Sequence, residues 1–355
     1  MRRAFIFTMA YNAEKTIART IESVLNQTYK DFDYIILDNG STDSTNEIIM
    51  SYAKNDDRVY LSSISVNNIL NGKTFFGLLC RCSSSEYTAR IDADDMMHSD
   101  FLETMIDYAD KYNLDTTACG YNKIDSDTGA LISVKESSTN YVIEGENFQD
   151  EFINYRGFTV FQWAKLYRVD LLKRYCTQPG IMSDNSPYKQ ATDSTRLLDI
   201  IDISERFGVI GKPMIDYYIN KNSLSFNLPV DIFDSYLALY ERTCDFIESR
   251  GEISVQNRNF LYCIYLSLLD ELIELVINNK AMSEVEKYNV LNGVLVHTYT
   301  FNTFSYTAET GFQRLEEREI WLEKLTIKTK EFSNKYLPAL QLIPLIEKLS
   351  QMIPG

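Results

Sequence analysis

The sequence predicts an α/β fold with a mainly parallel central sheet, followed by a C-terminal helical domain. In roughly the first third of the 355 residues, apolar runs alternate with amphipathic segments, as expected of buried parallel strands connected by helices. From about residue 228 the pattern changes to helical periodicity with few glycines and many Leu, Ile and Tyr residues. We therefore predict one domain at residues 1–225 and a helical domain at residues 226–355.

Four apolar runs in the first domain are predicted strands. Ala4–Met9 is apolar throughout, which is typical of a strand that is buried on both faces. Three shorter runs follow it, at Tyr34–Leu37, Val59–Leu61 and Tyr87–Ile91. Amphipathic segments predict helices at residues 14–27, 44–52, 71–83 and 99–112. Ser44 and Glu47 have the spacing of a capping box at the second of these helices.

The pattern is less regular after these elements. Residues 121–150 are polar and turn-rich, and Phe158–Tyr167 returns to a buried strand and the entry to a helix. Thr192-Asp193 begins a further predicted helix. Near the end, Tyr336–Ile346 is apolar enough to dock on its own domain, and its prolines argue against one long helix.

Composition excludes several classes of protein. The formal net charge of -15 argues against a nucleic-acid duplex as a partner, because neutralising phosphates needs clustered Lys and Arg. Six cysteines are scattered without zinc-type spacing, which indicates a reduced, cytosolic chain. The apolar run after the first arginines is too short for a signal peptide. No run approaches the ~18 apolar residues that a transmembrane helix needs.

The most informative stretch is an acidic cluster, Asp92, Asp94 and Asp95, directly after the fourth predicted strand. Carboxylates this close repel one another unless a cation or a solvated turn relieves the repulsion. Mg²⁺ and Mn²⁺ prefer oxygen ligands and often bridge carboxylates to a phosphate. The cluster therefore indicates a metal-assisted site for a phosphorylated ligand, with a solvated acidic turn as the alternative.

Three motifs fall at corresponding places in the predicted sheet. Tyr11, Asp38 and Asp92 each lie just beyond a predicted strand. Open α/β sheets bind ligands at the carboxyl ends of their strands. The three positions are therefore expected to form one site.

At this point the sequence resembles the family 2 glycosyltransferases, which have the GT-A nucleotide-sugar fold. The resemblance covers roughly residues 3–225 and rests on four motifs in the usual order. They are Tyr11-Asn12, Ser23-Val24-Leu25-Asn26-Gln27-Thr28-Tyr29, Asp38-Asn39-Gly40-Ser41-Thr42-Asp43-Ser44-Thr45 and Ala89-Arg90-Ile91-Asp92-Ala93-Asp94-Asp95. The helical part carries no resemblance that can be used.

The resemblance implies how a nucleotide-sugar donor would bind. Asp38 matches the acidic residue that accepts a hydrogen bond from the base or ribose, although Asp-Asn-Gly is also turn chemistry in its own right. Tyr11 and the neighbouring Met9 would line the base pocket, with the tyrosine ring as a stacking face. Lys73 is a candidate diphosphate contact, and a solvated lysine at a helix start is an equal alternative.

Asp92-Ala93-Asp94 is similar to the DxD motif of this family. Asp92 and Ala93 would contact the donor, and Mn²⁺ or Mg²⁺ would be held by Asp94 first, with Asp92 and Asp95 close behind. Such a metal neutralises charge on the departing diphosphate. Many relatives have a histidine near the end of this domain where Asn220 stands here, so donor and water would complete the metal shell.

An inverting transfer also needs a base that removes the proton of the acceptor hydroxyl. The family places an acidic residue at a helix start downstream of the metal motif, and Asp193 fits that position. A helix N-terminus favours the ionised form of such a residue. Helix capping by Thr192 or Asp193 is the alternative reading, and Asp184 is the rival residue.

The resemblance therefore implies a metal-dependent inverting glycosyltransferase, a hexosyl- or N-acetylhexosaminyl-transferase. It would move sugar from a nucleoside-diphosphate sugar, UDP-sugars first among them, to a hydroxyl on a glycan, protein or lipid. A non-catalytic nucleotide-sugar-binding module is the alternative, and a sugar-1-phosphate nucleotidyltransferase is a weaker one, because no glycine-rich loop follows the first strand. The helical domain would recognise the acceptor, form a homodimer or touch a membrane surface. The expected location is the cytoplasm, with peripheral contact to the inner face of the membrane left open.

Overall fold

The computed structural model describes residues 2–67, 69–145, 147–178, 192–219, 232–308 and 313–354. Contacts divide the chain into two compact units. The first unit comprises Met1–Ser186 and Arg196–Asn220, and the second comprises Pro187–Thr195 and Lys221–Gly355. The predicted boundary between residues 225 and 226 lies outside the described residues.

The first unit is built on one mixed sheet, whose strands are ordered β3-β2-β1-β4-β9-β6-β10-β5, with β7 paired to β6 and β8 paired to β10. The strands are β1 Ala4–Ala10, β2 Phe32–Asn39, β3 Val59–Ile64, β4 Tyr87–Arg90, β5 Met96–Met97, β6 Thr116–Asp125, β7 Leu131–Lys135, β8 Tyr141–Glu144, β9 Lys165–Arg168 and β10 Arg206–Ile219.

The half of the sheet that contains β3, β2, β1 and β4 is parallel throughout. Both central strands of this half are buried along almost their whole length, because helices cover both faces of a parallel sheet. The apolar run of β2 is its middle part, Tyr34–Leu37. The predicted parallel α/β architecture is confirmed. In the other half, β9 runs antiparallel to both β4 and β6, and β10 returns parallel to β6.

Residues 121–150 contain more regular structure than their polar, turn-rich sequence indicates. β6 extends through Asp125, and the two short strands β7 and β8 pair antiparallel with β6 and β10. Every residue of β7 before Lys135 is exposed, so no burial pattern marks it as a strand. β7 forms a hairpin with the strand before it, whereas β8 pairs with β10, far along the chain, and local composition reveals neither pairing.

Helices connect the strands of the first unit. They are α1 Ile17–Leu25, α2 Thr45–Asn55, α3 Ile69–Cys82, α4 Phe101–Tyr112, α5 Asn147–Asp150, α6 Phe152–Tyr155, α7 Val169–Cys176 and α8 Thr192–Asp202, with a 3-10 turn at Arg156–Phe158. The start of α8 belongs to the second unit by contacts.

The predicted capping box at the start of α2 does not form. Ser44 stands at the N-cap position, and its side chain makes no capping hydrogen bond. Oδ1 of Asp43 accepts instead from the backbone N–H of Thr45 at 3.0 Å, and the backbone N–H of Ser44 donates to the Glu14 carboxylate at 3.1 Å. Glu14, in the loop after β1, therefore accepts the hydrogen bond from the Ser44 N–H that the predicted capping box assigned to Glu47.

The second unit is helical, as predicted. Its helices are α9 Ile232–Glu248, α10 Val255–Asn278, α11 Glu284–Val296, α12 Thr298–Ser305, α13 Gln313–Glu316, α14 Arg318–Ser333 and α15 Ile343–Met352, with a 3-10 turn at Leu337–Leu342. Pro338 and Pro344 each stand at the start of a short element, which confirms that prolines divide this stretch. Leu342, Ile346 and Leu349 are buried. Within the described ranges, no helix has the length and apolarity needed to cross a membrane.

Candidate functional site

The candidate site lies where β1, β2 and β4 end. Strand β1 is the middle one, since Ala10 pairs with Asp38 of β2 and Phe7 pairs with Arg90 of β4. The hydroxyl of Thr8 donates to the carbonyl of Ile91 at 2.9 Å, which continues this alignment past the end of β4. Strands adjacent to a common neighbour lie two strand spacings apart, about 10 Å. Asp38 and the acidic turn therefore stand on opposite sides of the end of β1.

Asp38 is held firmly in place. Asp38 is buried, with 4% of its surface exposed to solvent. Oδ1 accepts from the backbone N–H of Ser41 at 3.1 Å, and Oδ2 accepts from Nδ2 of Asn46 at 2.7 Å. Each carboxylate oxygen has more than one lone pair. The Asp-Asn-Gly turn and a ligand contact by Asp38 can therefore coexist.

The loops after β1 and β2 are bound to each other. Asn12 has φ of 47°, a left-handed conformation that asparagine tolerates well. Its Oδ1 accepts from the backbone N–H of Thr42 at 2.8 Å, and its own N–H donates to Oγ of Ser41 at 3.0 Å. The adjacent Tyr11 is 41% exposed, and Met9 is half-buried. The ring of Tyr11 is therefore presented at the strand end by a fixed loop.

Thr45 is a second link between these loops. Its buried hydroxyl accepts from the backbone N–H of Ala13 at 2.7 Å and donates to Oδ1 of Asp43 at 2.5 Å. Burial raises the pKa of Asp43, but the donations from Thr45 outweigh it, so the net pKa of Asp43 is lowered. Asp43 therefore stays ionised as part of the scaffold.

The segment from residue 66 to 67 closes against the turn after β2. Gly40 has φ of 82°, and a Cβ there would meet the backbone N of Asn67 at 2.8 Å. Nδ2 of Asn39 donates to the side-chain oxygen of Asn67 at 2.9 Å. Only glycine combines this φ with this close approach.

Helix α1 holds the backbone of the acidic turn. The hydroxyl of Thr16, the N-cap residue, donates to the carbonyl of Ala93 at 2.9 Å. Two side chains within the helix donate to the next two carbonyls, Arg19 to Asp94 at 2.6 Å and Thr20 to Asp95 at 2.8 Å. A further hydrogen bond closes the turn from the N–H of Asp95 to the carbonyl of Asp92. These bonds fix the turn through its carbonyl groups.

The three carboxylates of the turn have different environments. Asp92 is exposed, Asp94 is partly buried and Asp95 is fully buried. Oδ1 of Asp95 accepts from the backbone N–H of Tyr218 at 2.9 Å, while its buried Oδ2 has no hydrogen-bond partner among the described residues.

The electrostatics of the turn favour a cation. Burial raises the pKa of Asp95, and the charges of Asp92 and Asp94 raise it further. Burial also raises the pKa of Asp94, against a smaller opposing effect of Arg19. A divalent ion would relieve this repulsion, so the donor set and the orphaned oxygen fit a metal. Among the residues that the structure describes, no three His, Cys, Asp or Glu side chains form a complete metal-binding group.

The structure adds residues that the sequence did not single out. The guanidinium of Arg19 lies 3.7 Å from the ring centre of Tyr218. Oδ1 of Asp216 pairs with Nε2 of His98 at 3.0 Å and accepts from Nδ2 of Asn122 at 2.8 Å. Burial raises the pKa of Asp216, and these hydrogen bonds bring it below its ordinary value. His98 is therefore hydrogen-bonded to a carboxylate at the margin of the site.

The motif at residues 23–29 also acquires a structural reason. Oγ of Ser23 accepts from the backbone N–H of Met97, and Gln27 bonds both the carbonyl of His98 and the N–H of Leu102. The motif thus anchors the chain that follows the acidic turn. Its hydrogen-bond partners lie about 75 positions away in the sequence, so the local sequence could not predict these contacts.

Other predicted residues are placed less completely. Lys73 is in α3, and its side chain lies outside the described residues, as do Asp184 and Asn220. Asp193 is exposed in the first turn of α8, and it is grouped with the second unit. Trp163 and Tyr167, whose rings could have offered a platform to an acceptor sugar on sequence alone, are 4% and 2% exposed and lie in the core.

Comparisons with known proteins agree with this architecture. Residues 5–176 match the family model described as glycosyl transferase family 2. An uncharacterized glycosyltransferase of Bacillus subtilis, EpsJ, is 26% identical over 221 residues, 62% of each chain. An uncharacterized glycosyltransferase of Haemophilus influenzae is 34% identical over 119 residues, covering 34% of this chain and 36% of that one. The chain thus spans less than two thirds of these two relatives.

Among solved structures, S. aureus TarS 1-349 in complex with UDP is similar over 99% of this chain and 87% of its own, with a TM-score of 0.51 and 17% identity. At this identity the likeness concerns the fold, which is GT-A with a helical C-terminal region. The family match therefore assigns residues 5–176, which include Asp38 and the acidic turn, to glycosyl transferase family 2.

Proposed function

We propose that this chain is a metal-dependent inverting glycosyltransferase that moves a sugar from a nucleoside-diphosphate sugar to an acceptor hydroxyl. The observation that carries the proposal is the arrangement around β1. A buried carboxylate, Asp38, stands on one side of the strand end, and an acidic turn with an orphaned buried oxygen stands on the other. The side with Asp38 suits a nucleoside, and the side with the acidic turn suits a metal-bound diphosphate.

The nucleoside would bind between Tyr11 and Asp38. The exposed ring of Tyr11 offers a stacking face, with Met9 beside it. Asp38 would accept a hydrogen bond from base or ribose with the lone pairs that Ser41 and Asn46 leave unused. UDP is the first candidate nucleotide, since TarS, which shares the fold, has been crystallised with UDP.

The diphosphate would meet the acidic turn. Asp94 and Asp92 would hold Mn²⁺ or Mg²⁺ directly, Ala93 would contact the donor, and the buried Asp95 would add negative charge behind them. The metal would supply positive charge to the leaving diphosphate. Lys73 would be a further diphosphate contact, as the sequence predicts.

Asp193 is the proposed base. It lies in the first turn of α8, where the helix dipole favours a carboxylate. Such a group can take the proton of the acceptor hydroxyl as its oxygen attacks C1 of the sugar, and this attack inverts the configuration there. The acceptor would be a glycan, protein or lipid, with the helical unit recognising it or forming a homodimer.

The test compares Asp94→Ala and Asp193→Asn with wild type and with Asp127→Asn, an exposed acid on a turn. UDP-stimulated thermal shifts with and without Mn²⁺ report donor binding, and hydrolysis or transfer from UDP-sugars reports turnover. We expect Asp94→Ala to lose the Mn²⁺-dependent shift, and Asp193→Asn to keep it while losing transfer. Full transfer by both variants would refute the assignment. UDP binding that is indifferent to metal, without turnover in the wild type, would favour a non-catalytic module.

A further inference from the structure

A polar cavity of about 440 Å³ lies in the first unit, away from the strand ends of β1, β2 and β4. Its walls come from β7, β8 and the short helices that follow them. Besides the exposed carboxylates of Glu136 and Glu151, its lining includes Lys135, Ser137, Tyr141, Asn147, Asn154 and Phe158. None of them belongs to the proposed donor site, so the cavity raises a separate question.

Lys135 brings a positive charge to this cavity without a carboxylate partner. Its Nζ lies 4.5 Å from the ring centre of Phe158, and no hydrogen bond or ion pair between described residues uses it. The side chain is half-buried, and burial lowers its pKa. A partly desolvated cation that lacks a counter-ion is costly. An anion bound in the cavity would relieve that cost.

The local backbone is shaped to admit this lysine. A Cβ on Gly157 would come within 2.8 Å of Cε of Lys135. The lysine stem therefore lies across a residue without a side chain, and its amine reaches the ring of the adjacent Phe158. This placement results from specific packing and differs from that of a surface lysine whose amine extends into water.

A second cation, Arg156, precedes Gly157 in the chain and is not part of the cavity lining. Arg156 is 8% exposed, and its NH1 donates to the carbonyl of Thr159 at 3.2 Å. Its Nε is buried without a hydrogen-bond partner. Burial lowers the pKa of Arg156 to about 10, a value at which it remains charged at neutral pH. The cavity itself therefore holds one cation, Lys135, together with the two exposed carboxylates Glu136 and Glu151.

The other walls offer hydrogen bonds and ring faces. Oγ of Ser137 accepts from the N–H of Thr139, so its own proton remains available, and the amide of Asn147 is exposed to the cavity. The Tyr141 hydroxyl donates to the carbonyl of Asn154 at 3.3 Å. Glu151, also in the wall, accepts from Nδ2 of Asn154 at 2.5 Å, which occupies one of its oxygens. Mixed donors and acceptors beside aromatic rings suit sugar hydroxyls and C–H faces.

We propose that this cavity is a binding site for an anionic saccharide, in which Lys135 pairs with a carboxylate or phosphate group of the sugar. The amide and hydroxyl groups of the wall would bind the sugar hydroxyls, and Phe158 would support the lysine from behind. This proposal is independent of donor binding, since the cavity shares no residue with the acidic turn.

Calorimetric titrations at constant ionic strength test the site, with glucuronate, glucose 6-phosphate, inorganic phosphate and glucose as probes. We expect both charged sugars to bind the wild type, inorganic phosphate to bind more weakly and glucose most weakly. Lys135→Met keeps the stem on Gly157 and removes the charge. It should weaken charged-sugar binding about tenfold or more, the usual loss for a charge-assisted hydrogen bond. Lys111→Met is the matched control, since Lys111 also lies over a ring, that of Tyr112, outside the cavity.

A site-specific readout on the wild type does not depend on the variant's folding. Trinitrobenzenesulfonate labelling near neutral pH, followed by peptide mapping, compares Lys135 with Lys111. Glucuronate should protect Lys135 and leave the labelling of Lys111 unchanged. Equal charged-sugar affinity in Lys135→Met, or no protection of Lys135, would overturn the proposal. A UDP titration in parallel keeps this outcome separate from failure of the donor site.

Discussion

The backbone N–H of Tyr218 donates to Oδ1 of Asp95 at 2.9 Å, joining residues 123 positions apart. Strand β10 is thereby bound to the acidic turn by a carboxylate that no solvent reaches. Asp95 thus has a structural partner as well as a place in the acidic cluster. Its two roles can be separated by substitution.

The first prediction concerns Asp95→Asn and Asp95→Ala. Both remove the charge, but asparagine keeps the volume of this buried side chain and an acceptor for the N–H of Tyr218. Asparagine retains an acceptor, while alanine leaves a buried N–H unsatisfied, which costs about 1–3 kcal/mol. Urea unfolding should therefore give Asp95→Ala the lower free energy of unfolding by that amount. Equal stability of the two variants would show that water satisfies the Tyr218 amide.

The second prediction concerns Arg19. Its guanidinium donates to the carbonyl of Asp94 at 2.6 Å and lies 3.7 Å from the ring centre of Tyr218. Lysine keeps the charge but cannot make this planar contact. We expect Arg19→Lys and Arg19→Met both to weaken Mn²⁺-dependent UDP binding, measured by calorimetry, by about three- to tenfold, or roughly 1 kcal/mol. Wild-type affinity in Arg19→Lys would mean that charge alone suffices.

The third prediction tests the link between the loops after β1 and β2. Thr45→Val preserves shape and removes the hydroxyl that bonds Ala13 and Asp43. Because the N–H of Ala13 loses its partner, we expect a loss of about 1–3 kcal/mol in the free energy of unfolding. Thr42→Val is the control, since its exposed hydroxyl makes only a 3.4 Å contact with Asn12. Similar losses in both would contradict the assignment to Thr45.

The fourth prediction concerns acid stability. Burial raises the pKa of Asp110, but hydrogen bonds from Tyr87 and Arg3 outweigh it, so the net pKa is lowered. A lowered folded-state pKa gives stability that is complete above the ordinary aspartate value of about 3.9 and is lost as pH falls through the folded value. The Arg3 and Asp110 side chains are 35% and 38% exposed, so solvent screening limits the contribution to about 1 kcal/mol or less.

Urea unfolding of the wild type and Asp110→Asn at a series of pH values measures this contribution. The two curves should differ at neutral pH and converge as the pH falls below the ordinary aspartate value, where the wild-type carboxyl becomes protonated. Asp107→Asn, an exposed acid on the same helix, should follow the wild type throughout. A constant offset between wild type and Asp110→Asn down to the lowest pH would rule out the ion-pair network as the cause.

Local sequence was a good guide where burial dictates structure. The runs that became β1 and β2 are apolar because both faces are covered, and such strands can be identified without a partner. The three motif positions at strand ends followed from the same reasoning. By contrast, β7 is exposed, so its pairing with β6 was invisible in composition. The predicted capping box does not form, because the carboxylate of Glu14, thirty residues earlier, accepts from the backbone N–H of Ser44.

The positions of the acidic residues in the candidate site could be predicted from the sequence, but the residues that hold them in place could not. Asp38, Asp92 and Asp94 stand at strand ends, which the alternating pattern indicates. Arg19 and Asp216 were missed because their importance depends on Tyr218 and His98, far away in sequence. A weak signal existed for Arg19, since it shares a helix face with Thr16.

The attachment of the acidic turn to α1 through carbonyl groups has an evolutionary consequence. The hydrogen bonds from Thr16, Arg19 and Thr20 go to backbone carbonyl oxygens, which every amino acid has. Exchanging the side chains at positions 92 and 94 therefore alters the chemistry of the turn while its path is retained. A lineage built on this scaffold could change its preferred ion, or abandon one, by single substitutions without first having to rebuild the loop.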